Sequence, residues 1–423
     1  MWFHVDVNNF YVSVERVFQP QYNGVPVVVL SNNDGCAISR SDEAKALKIP
    51  MGAVYFQWKA KFQEYGVKVF SSNYELYGDM SRRAMNIMQK YTPDLEIYSI
   101  DEAFGKLDGF NDKYIPGYDH KNYMLKLKRE ISRGLGLPVS IGIGPTKALA
   151  KMATRVAKKY PEQTAGVHLI DSDELRIKAL KWLEVGDVWG IGRQYNNLLK
   201  KHGIESAYQF TMLPDEWVRK NMSIVEFRLQ LDLRGIRTLD FEKIQKRKNI
   251  LRSRSFDKSL TELQPISERV ASCAVKVASE LRKQKSACKG VGVIITTGRH
   301  TENLYSQKFC FALDVPTNCD IELNKYCQMA LKLIFKAGFI YKKAGVIVYD
   351  LVPEDDVQLH LFAPEPDEKR KSLMKIMDNL KNKYGKNCVK LAGQPKVDFK
   401  MRQEHKSRNY TTSLSDILVA KCH

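Results

Sequence analysis

Tyr98-Ser99-Ile100-Asp101-Glu102-Ala103-Phe104 sets two adjacent acids inside an apolar, β-favouring run. Leu95, Ile97, Tyr98 and Ile100 lead into the pair, and Ala103, Phe104 and Leu107 follow it. The pattern predicts a strand, a tight turn and a second strand, with Asp101 and Glu102 at the tip. In isolation such a pair is a solvated hairpin tip, because charged side chains are mostly exposed. The other reading is chemical. Two like charges side by side repel unless a cation neutralises them. Hard carboxylate oxygens suit Mg²⁺ or Mn²⁺, and Mg²⁺ typically takes one or two carboxylates plus substrate phosphates.

The surroundings weigh on that choice. Phe3, Val5 and Val7 alternate with His4 and Asp6, which predicts a strand with one buried face and Asp6 near its end. Asn8-Asn9 breaks it, and Phe10 to Val17 starts a helix. A third carboxylate beside Asp101 and Glu102 would complete a two-metal site, with ions about 3.5–4 Å apart, of the kind used by polymerases and nucleases. Val27–Leu30 reads as a strand, Ser31 to Gly35 as a turn, and Cys36 to Ser39 as a returning strand. Ser41 or Asp42 then caps a helix that carries Lys45. Ser71 to Lys90 reads as a helix whose Tyr74, Tyr77, Met80 and Ala84 face a core. Pro138 to Gly144 is a strand whose small residues share one face and allow close backbone approach. Pro145-Thr146 opens a helix to about Lys159. Its Lys147, Lys151 and Arg155 line one face, either solvated or turned to phosphate. This order of elements suggests a ferredoxin-like mixed sheet with helices on one face.

The chain has 423 residues, enough for two to four domains. Lys and Arg number 67 against 48 Asp and Glu, a net charge of +19 that points to nucleic acid. No stretch has the apolar length of a membrane span and Met1 to Asp6 is no signal peptide, so a cytoplasmic protein is expected. Eight Cys without a CxxC pair fit reduced thiols. Val185 to Gly192, ahead of a helix from Arg193 to His202, resembles a helix-hairpin-helix turn with N–H groups open to a DNA phosphate; an ordinary helix–helix turn is the alternative. Residues 236–250 are charge-rich and read as a linker. Ser253 begins a small α+β module. Past Pro353, Gln358-Leu359-His360-Leu361-Phe362 lies between acidic and Pro-rich flanks, as a docking peptide or a short strand. The remaining tail is basic and weakly patterned.

Three motifs together carry a resemblance: Asp6-Val7-Asn8-Asn9-Phe10-Tyr11, Tyr98 to Ala103, and Gly142-Ile143-Gly144-Pro145-Thr146-Lys147-Ala148-Leu149-Ala150-Lys151. They are similar to the Y-family translesion DNA polymerases, and most similar to the UmuC type, the catalytic subunit of bacterial DNA polymerase V. Val29 to Cys36, Ser71 to Tyr77, Asp187 to Gly192 and Ser253 to Phe256 extend the match along the chain.

The resemblance implies an α+β multidomain right hand. Its ferredoxin-like palm is 1–19 and 78–168, its small fingers 20–77, and its helical thumb with a helix-hairpin-helix 169–238. A linker spans 239–252, an α+β little finger 253–353, and a C-terminal tail 354–423. It makes Asp6, Asp101 and Glu102 the catalytic carboxylates and Val7 a backbone ligand for two Mg²⁺ ions, with Mn²⁺ possible. Tyr11 becomes the steric gate against a 2′-hydroxyl, and Ile38 and Ser39 the roof of the nascent base pair. Arg40, Lys45 and Lys151 bind the triphosphate. Asp42 stands where many members carry a Tyr; an acid cannot bind triphosphate, so more falls to the three cations.

Gln358, Leu359, Leu361 and Phe362 would bind a sliding clamp. The further partners implied are primer-template DNA, dNTP, a cleaved UmuD dimer and the RecA filament, in a nucleoid-associated enzyme of SOS mutagenesis and DNA damage tolerance. Two other classes are a nucleotidyl cyclase-like palm enzyme and a catalytically silent DNA-binding scaffold. The first has no use for a charge of +19 or a clamp peptide, the second none for three carboxylates.

Overall fold

A computed structural model of the chain describes residues 1–419 other than 112, 114, 243–244, 299–300, 357–367, 386–387, 397–398 and 400. The chain forms two units, Met1–Lys243 with Gln403–His423, and Ile244–Arg402. Among the described residues no helix is long and apolar enough to cross a membrane. The expected clamp peptide, 358–362, lies outside the described residues.

The strands of the first unit are β1 (Trp2–Val7), β2 (Val27–Leu30), β3 (Ala37–Arg40), β4 (Lys68–Ser71), β5 (Leu95–Ile97), β6 (Glu102–Lys106), β7 (Val139–Gly144) and β8 (Val167–Leu169). They make a mixed sheet in the order β5-β6-β1-β7-β8 and a smaller one in the order β3-β2-β4. In the larger sheet β1 is central and antiparallel to both β6 and β7. Phe3, Val5 and Val7 pack into a core with helices Tyr74–Gln89 and His120–Leu135.

The opposite face is covered too, which corrects the expectation of helices on one face and of a half-solvated β1. His4 is as deeply buried as its apolar neighbours. The cause lies in β7. Gly142 and Gly144 sit beside His4 and Trp2 in the register, and helix Lys147–Lys159 lies directly against them. A Cβ at Gly142 would stand 2.1 Å from both the Ala150 carbonyl oxygen and the Thr154 nitrogen. Only a residue without a side chain admits the helix so close.

The smaller sheet encloses Val28, Leu30, Ala37, Ile49 and Phe62 with helices Asp42–Ala46 and Tyr55–Glu64. Residues 173–233 are helical, around Leu180, Leu199, Phe210 and Phe227. Gly190 turns there with φ +94°, a conformation that favours glycine.

The second unit is an antiparallel sheet of β9 (Ile250–Leu260), β10 (Ser286–Thr297), β11 (Ser306–Thr317) and β12 (Tyr341–Pro353), in the order β11-β10-β12-β9. Helices Leu263–Lys283 and Asp320–Ile334 complete its core. β9 starts inside the expected linker, because this edge strand buries mainly Ile250 and Phe256 and so lacks strict alternation.

The tail is also more ordered than its pattern suggests. Helix Glu368–Tyr384 buries Met374 and Met377 against Cys319. Arg282 joins it to the body through Asp378 (2.7 Å) and the fully buried Asp320 (2.6 Å). Gln403 onward belongs to the first unit.

Candidate active site

The β1–β6 register sets Asp6 directly across from Glu102. The Val7 amide donates to the Asp101 carbonyl at 3.0 Å, so Asp101 closes the same strand pair. Tyr98 and Ser99 amides both return to the Glu102 carbonyl, which makes Glu102 the first residue of β6 rather than a hairpin tip. Ser99 Oγ donates to Asp101 Oδ1 at 2.6 Å and accepts from the Glu102 amide.

Like charges directly across a strand pair are destabilising. Two lysines of helix Lys147–Lys159 relieve this pair. Lys158 Nζ lies 2.6 Å from Asp6, and Lys151 Nζ donates to both Glu102 oxygens at 2.9 and 3.0 Å. Burial nonetheless holds the Asp6 and Glu102 carboxyls above their ordinary range, with the lysines pulling the other way. His4 meets Thr154 Oγ1 at 2.9 Å through Nδ1 and stands 3.7 Å from Glu102 through Nε2. Burial, then Lys151, pushes His4 well below its usual range, so the ring is neutral. These groups open onto a cleft of about 460 Å³ shared with Lys45, Arg155 and Trp189.

Among the described residues no three of His, Cys, Asp and Glu stand close enough to hold an ion by themselves. Asp6 and Glu102 lean on lysines, and Asp101 on Ser99. The donor set still fits a hard divalent cation, because Mg²⁺ keeps waters and takes substrate phosphates beside one or two carboxylates. Three carboxylates, two of them answered by exchangeable ammonium groups and one by a hydroxyl, are chemically suited to it.

Tyr11 is the second residue of helix Phe10–Phe18, which Asn9 opens in the left-handed region at φ 48°. Its ring stacks on Tyr77 with centroids 4.6 Å apart and 20° between planes, and meets the edge of Tyr74 at 6.0 Å. Burial pushes its phenol up to about 12, so it is neutral.

Ile38 and Ser39 lie on β3, half-buried and buried. Arg40 donates to the Ile49 carbonyl, in the loop after helix Asp42–Ala46. Lys45 donates to Asn9 (2.7 Å) and Asp42 (2.8 Å). Partial burial works against Asp42, yet hydrogen bonds from Lys45 and Asn9 hold its carboxyl below the ordinary range. Asp42 therefore occupies the very cation expected to bind phosphate.

The basic helix face is not free either. Lys147 is buried on Glu96 (2.8 Å), and Arg155 pairs with Asp187 (2.7 Å). The sequence reading missed Lys158. Its position seven residues after Lys151 puts it on the same helix face, and that spacing was the available signal.

Residues 5–155 match the impB/mucB/samB family, 247–361 that family's C-terminal domain, and 371–420 a domain of unknown function. Protein UmuC of Salmonella typhimurium is 37% identical over 98% of this chain and 99% of its own length. The chain belongs to the UmuC-type Y-family DNA polymerases. Protein ImpB of the same organism is 36% identical over 98% of each chain. A solved Y-family DNA polymerase chimera shares the fold, with a TM-score of 0.64 at 19% identity over 83% of this chain and 99% of its own. Dependence on a divalent metal and a DNA substrate come with the family.

Proposed function

We propose that this chain adds dNTPs to a primer 3′-hydroxyl opposite damaged as well as intact template, as an error-prone polymerase of DNA damage tolerance and SOS mutagenesis. The observation that carries the reading is the meeting of Asp6, Asp101 and Glu102 at the ends of β1 and β6, beside a lysine-lined cleft. In this reading the larger sheet is the palm, the smaller one the fingers, the helical stretch 169–238 the thumb, and 253–353 the little finger.

Asp6, Asp101, Glu102 and the Val7 carbonyl hold Mg²⁺, with Mn²⁺ able to replace it. Bound there, the metal supplies Lewis acidity toward the primer hydroxyl and the phosphoryl oxygens. The hydroxyl displaces pyrophosphate at the α-phosphate. Lys151 and Lys158 exchange their carboxylate partners for incoming phosphate oxygens, and Lys45 and Arg40 complete the cradle. Tyr11 closes the sugar side against a 2′-hydroxyl, and Ile38 and Ser39 cover the base pair. The net charge of +19 favours a grip on DNA phosphates that is independent of sequence. Gln358, Leu359, Leu361 and Phe362 tether the enzyme to a sliding clamp. A cleaved UmuD dimer and the RecA filament dock on the tail, at the nucleoid.

Primer extension with Mg²⁺ tests this. Asp101→Ala and Glu102→Ala should lose extension while primer-template binding persists. Near-normal extension by either variant refutes the site. Cyclic product from NTP alone would indicate a cyclase, and binding without chemistry a scaffold.

A further inference from the structure

Behind Tyr11 the chain has built a support that the reaction itself does not use. Tyr11 and Glu15 lie one turn apart on helix Phe10–Phe18, on one face. Tyr77, from helix Tyr74–Gln89, is wedged between them. Its ring stacks on Tyr11, and its hydroxyl donates to Glu15 Oε1 at 2.6 Å. Both Tyr77 and Glu15 are completely buried. A fully buried glutamate is rare and needs donors. The second close donor comes from far along the chain: Ser407 Oγ reaches Glu15 Oε1 at 2.9 Å.

Ser407 belongs to a segment that clasps the start of the Tyr77 helix. Asn73 caps that helix, accepting from the Leu76 amide, and its Nδ2 donates to the carbonyls of Ser407 and Arg408, both at 3.2 Å. The Ser71 amide donates to the His405 carbonyl at 3.0 Å. The segment falls in the region that matches a domain of unknown function.

We propose that Tyr77, Glu15 and Ser407 are positioning residues that fix the Tyr11 ring and so set how strongly the polymerase rejects ribonucleotides. The inference rests on the reading of Tyr11 as the sugar-side gate. A gate discriminates only if its ring cannot retreat when a 2′-hydroxyl presses on it. A ring stacked on a neighbour that is itself pinned at its far end cannot slide away. The polar strut thus converts a half-buried aromatic into a rigid wall, and the C-terminal segment supplies the last pin.

The test is single-nucleotide insertion by the full-length chain from a dNTP and from the matching rNTP, read as the ratio of the two kcat/KM values. Partial unfolding lowers both rates alike and leaves this ratio unchanged. Tyr11→Ala is the reference and should collapse the ratio. Tyr77→Phe keeps the ring and removes only the hydroxyl; with one buried hydrogen bond gone, the ratio should fall by about tenfold. Glu15→Leu should match it, Glu15→Gln, which keeps an acceptor, should restore most of the ratio, and Ser407→Ala should fall in between.

If Tyr11→Ala admits ribonucleotides while Tyr77→Phe and Glu15→Leu keep the parent ratio, the strut is refuted and the gate stands. Continued rejection of ribonucleotides by Tyr11→Ala overturns the gate reading and the strut with it. Should Glu15→Leu not fold, Tyr77→Phe and Ser407→Ala still decide.

Discussion

Replacing Glu15 with Gln removes a titration that burial has displaced. Glu15 is fully enclosed, and burial drives its carboxyl from the ordinary 4.5 up to about 7, against the pull of the Tyr77 and Ser407 hydroxyls. The folded chain therefore holds this proton more tightly than the unfolded chain. Its contribution to stability is fully present below about pH 4.5 and is lost as pH rises through about 7. At about 1.4 kcal/mol per pKa unit, a shift of this size amounts to about 3 kcal/mol. Gln offers a similar acceptor and does not titrate, so the stability of the parent relative to Glu15→Gln should fall by that amount across the window.

In a unit of this size 1 kcal/mol moves Tm by about 2–4 °C. The Tm gap, variant minus parent, should therefore grow by roughly 6–10 °C between pH 5 and 8. Thermal unfolding followed by Trp fluorescence is the assay. Trp2, Trp58, Trp182, Trp189 and Trp217 all lie in the first unit, so the signal reports the unit that holds Glu15. Parallel Tm curves for the two proteins, or a gap that widens toward acid, would show that the carboxyl is not held above its ordinary range.

Three other outcomes are expected, two from the geometry and one from the sequence. Gly142→Ala drives a Cβ into helix backbone at 2.1 Å and should destabilise the first unit by about 3 kcal/mol or more, seen as a lower denaturation midpoint, with Gly144→Ala milder at 2.9 Å. Arg282→Ala strips the fully buried Asp320 of its closest cation and should cost about 3–5 kcal/mol in the second unit, with helix Glu368–Tyr384 released to limited proteolysis. Replacing Leu361 and Phe362 with Ala should weaken sliding-clamp binding by a factor of several hundred or more, at about 2 kcal/mol for each of two apolar anchors, and leave clamp-free primer extension unchanged; equal binding to the clamp would mark the segment as an ordinary piece of the fold.

What the sequence disclosed follows from the range of its signals. Period-two alternation located β1, and the break at Asn8-Asn9 located its end. The Asp101-Glu102 pair marked a site because like charges in an apolar run need an explanation. The register that sets Asp6 across from Glu102 is a long-range pairing, and no local pattern encodes it. The same limit hid the partners of the basic helix face. Lys147 and Lys151 look free along the helix, yet their acids, Glu96 and Glu102, arrive from strands about fifty residues earlier. The small residues of β7 were legible as a place of close approach; that a second helix layer would fill it was not.

Tyr77 was legible as core through its ring, while its hydroxyl has meaning only beside Glu15, which its charge would place in solvent. The tail shows the sharpest version of this. Gln403-Glu404-His405-Lys406-Ser407-Arg408 has no apolar period, so no hydrophobic argument docks it. It is held by backbone and polar groups instead, from the Ser71–His405 pair to Asn409 on Glu75. Each such bond contributes about 0.5–1.5 kcal/mol net. Tyr410, two residues past Arg408, stacks on Phe18 at 4.9 Å, but within 403–408 the hold on the helix behind Tyr11 rests largely on individual polar atoms. That is why deleting one oxygen from Ser407 should be readable at a ring two residues removed from it through Glu15 and Tyr77.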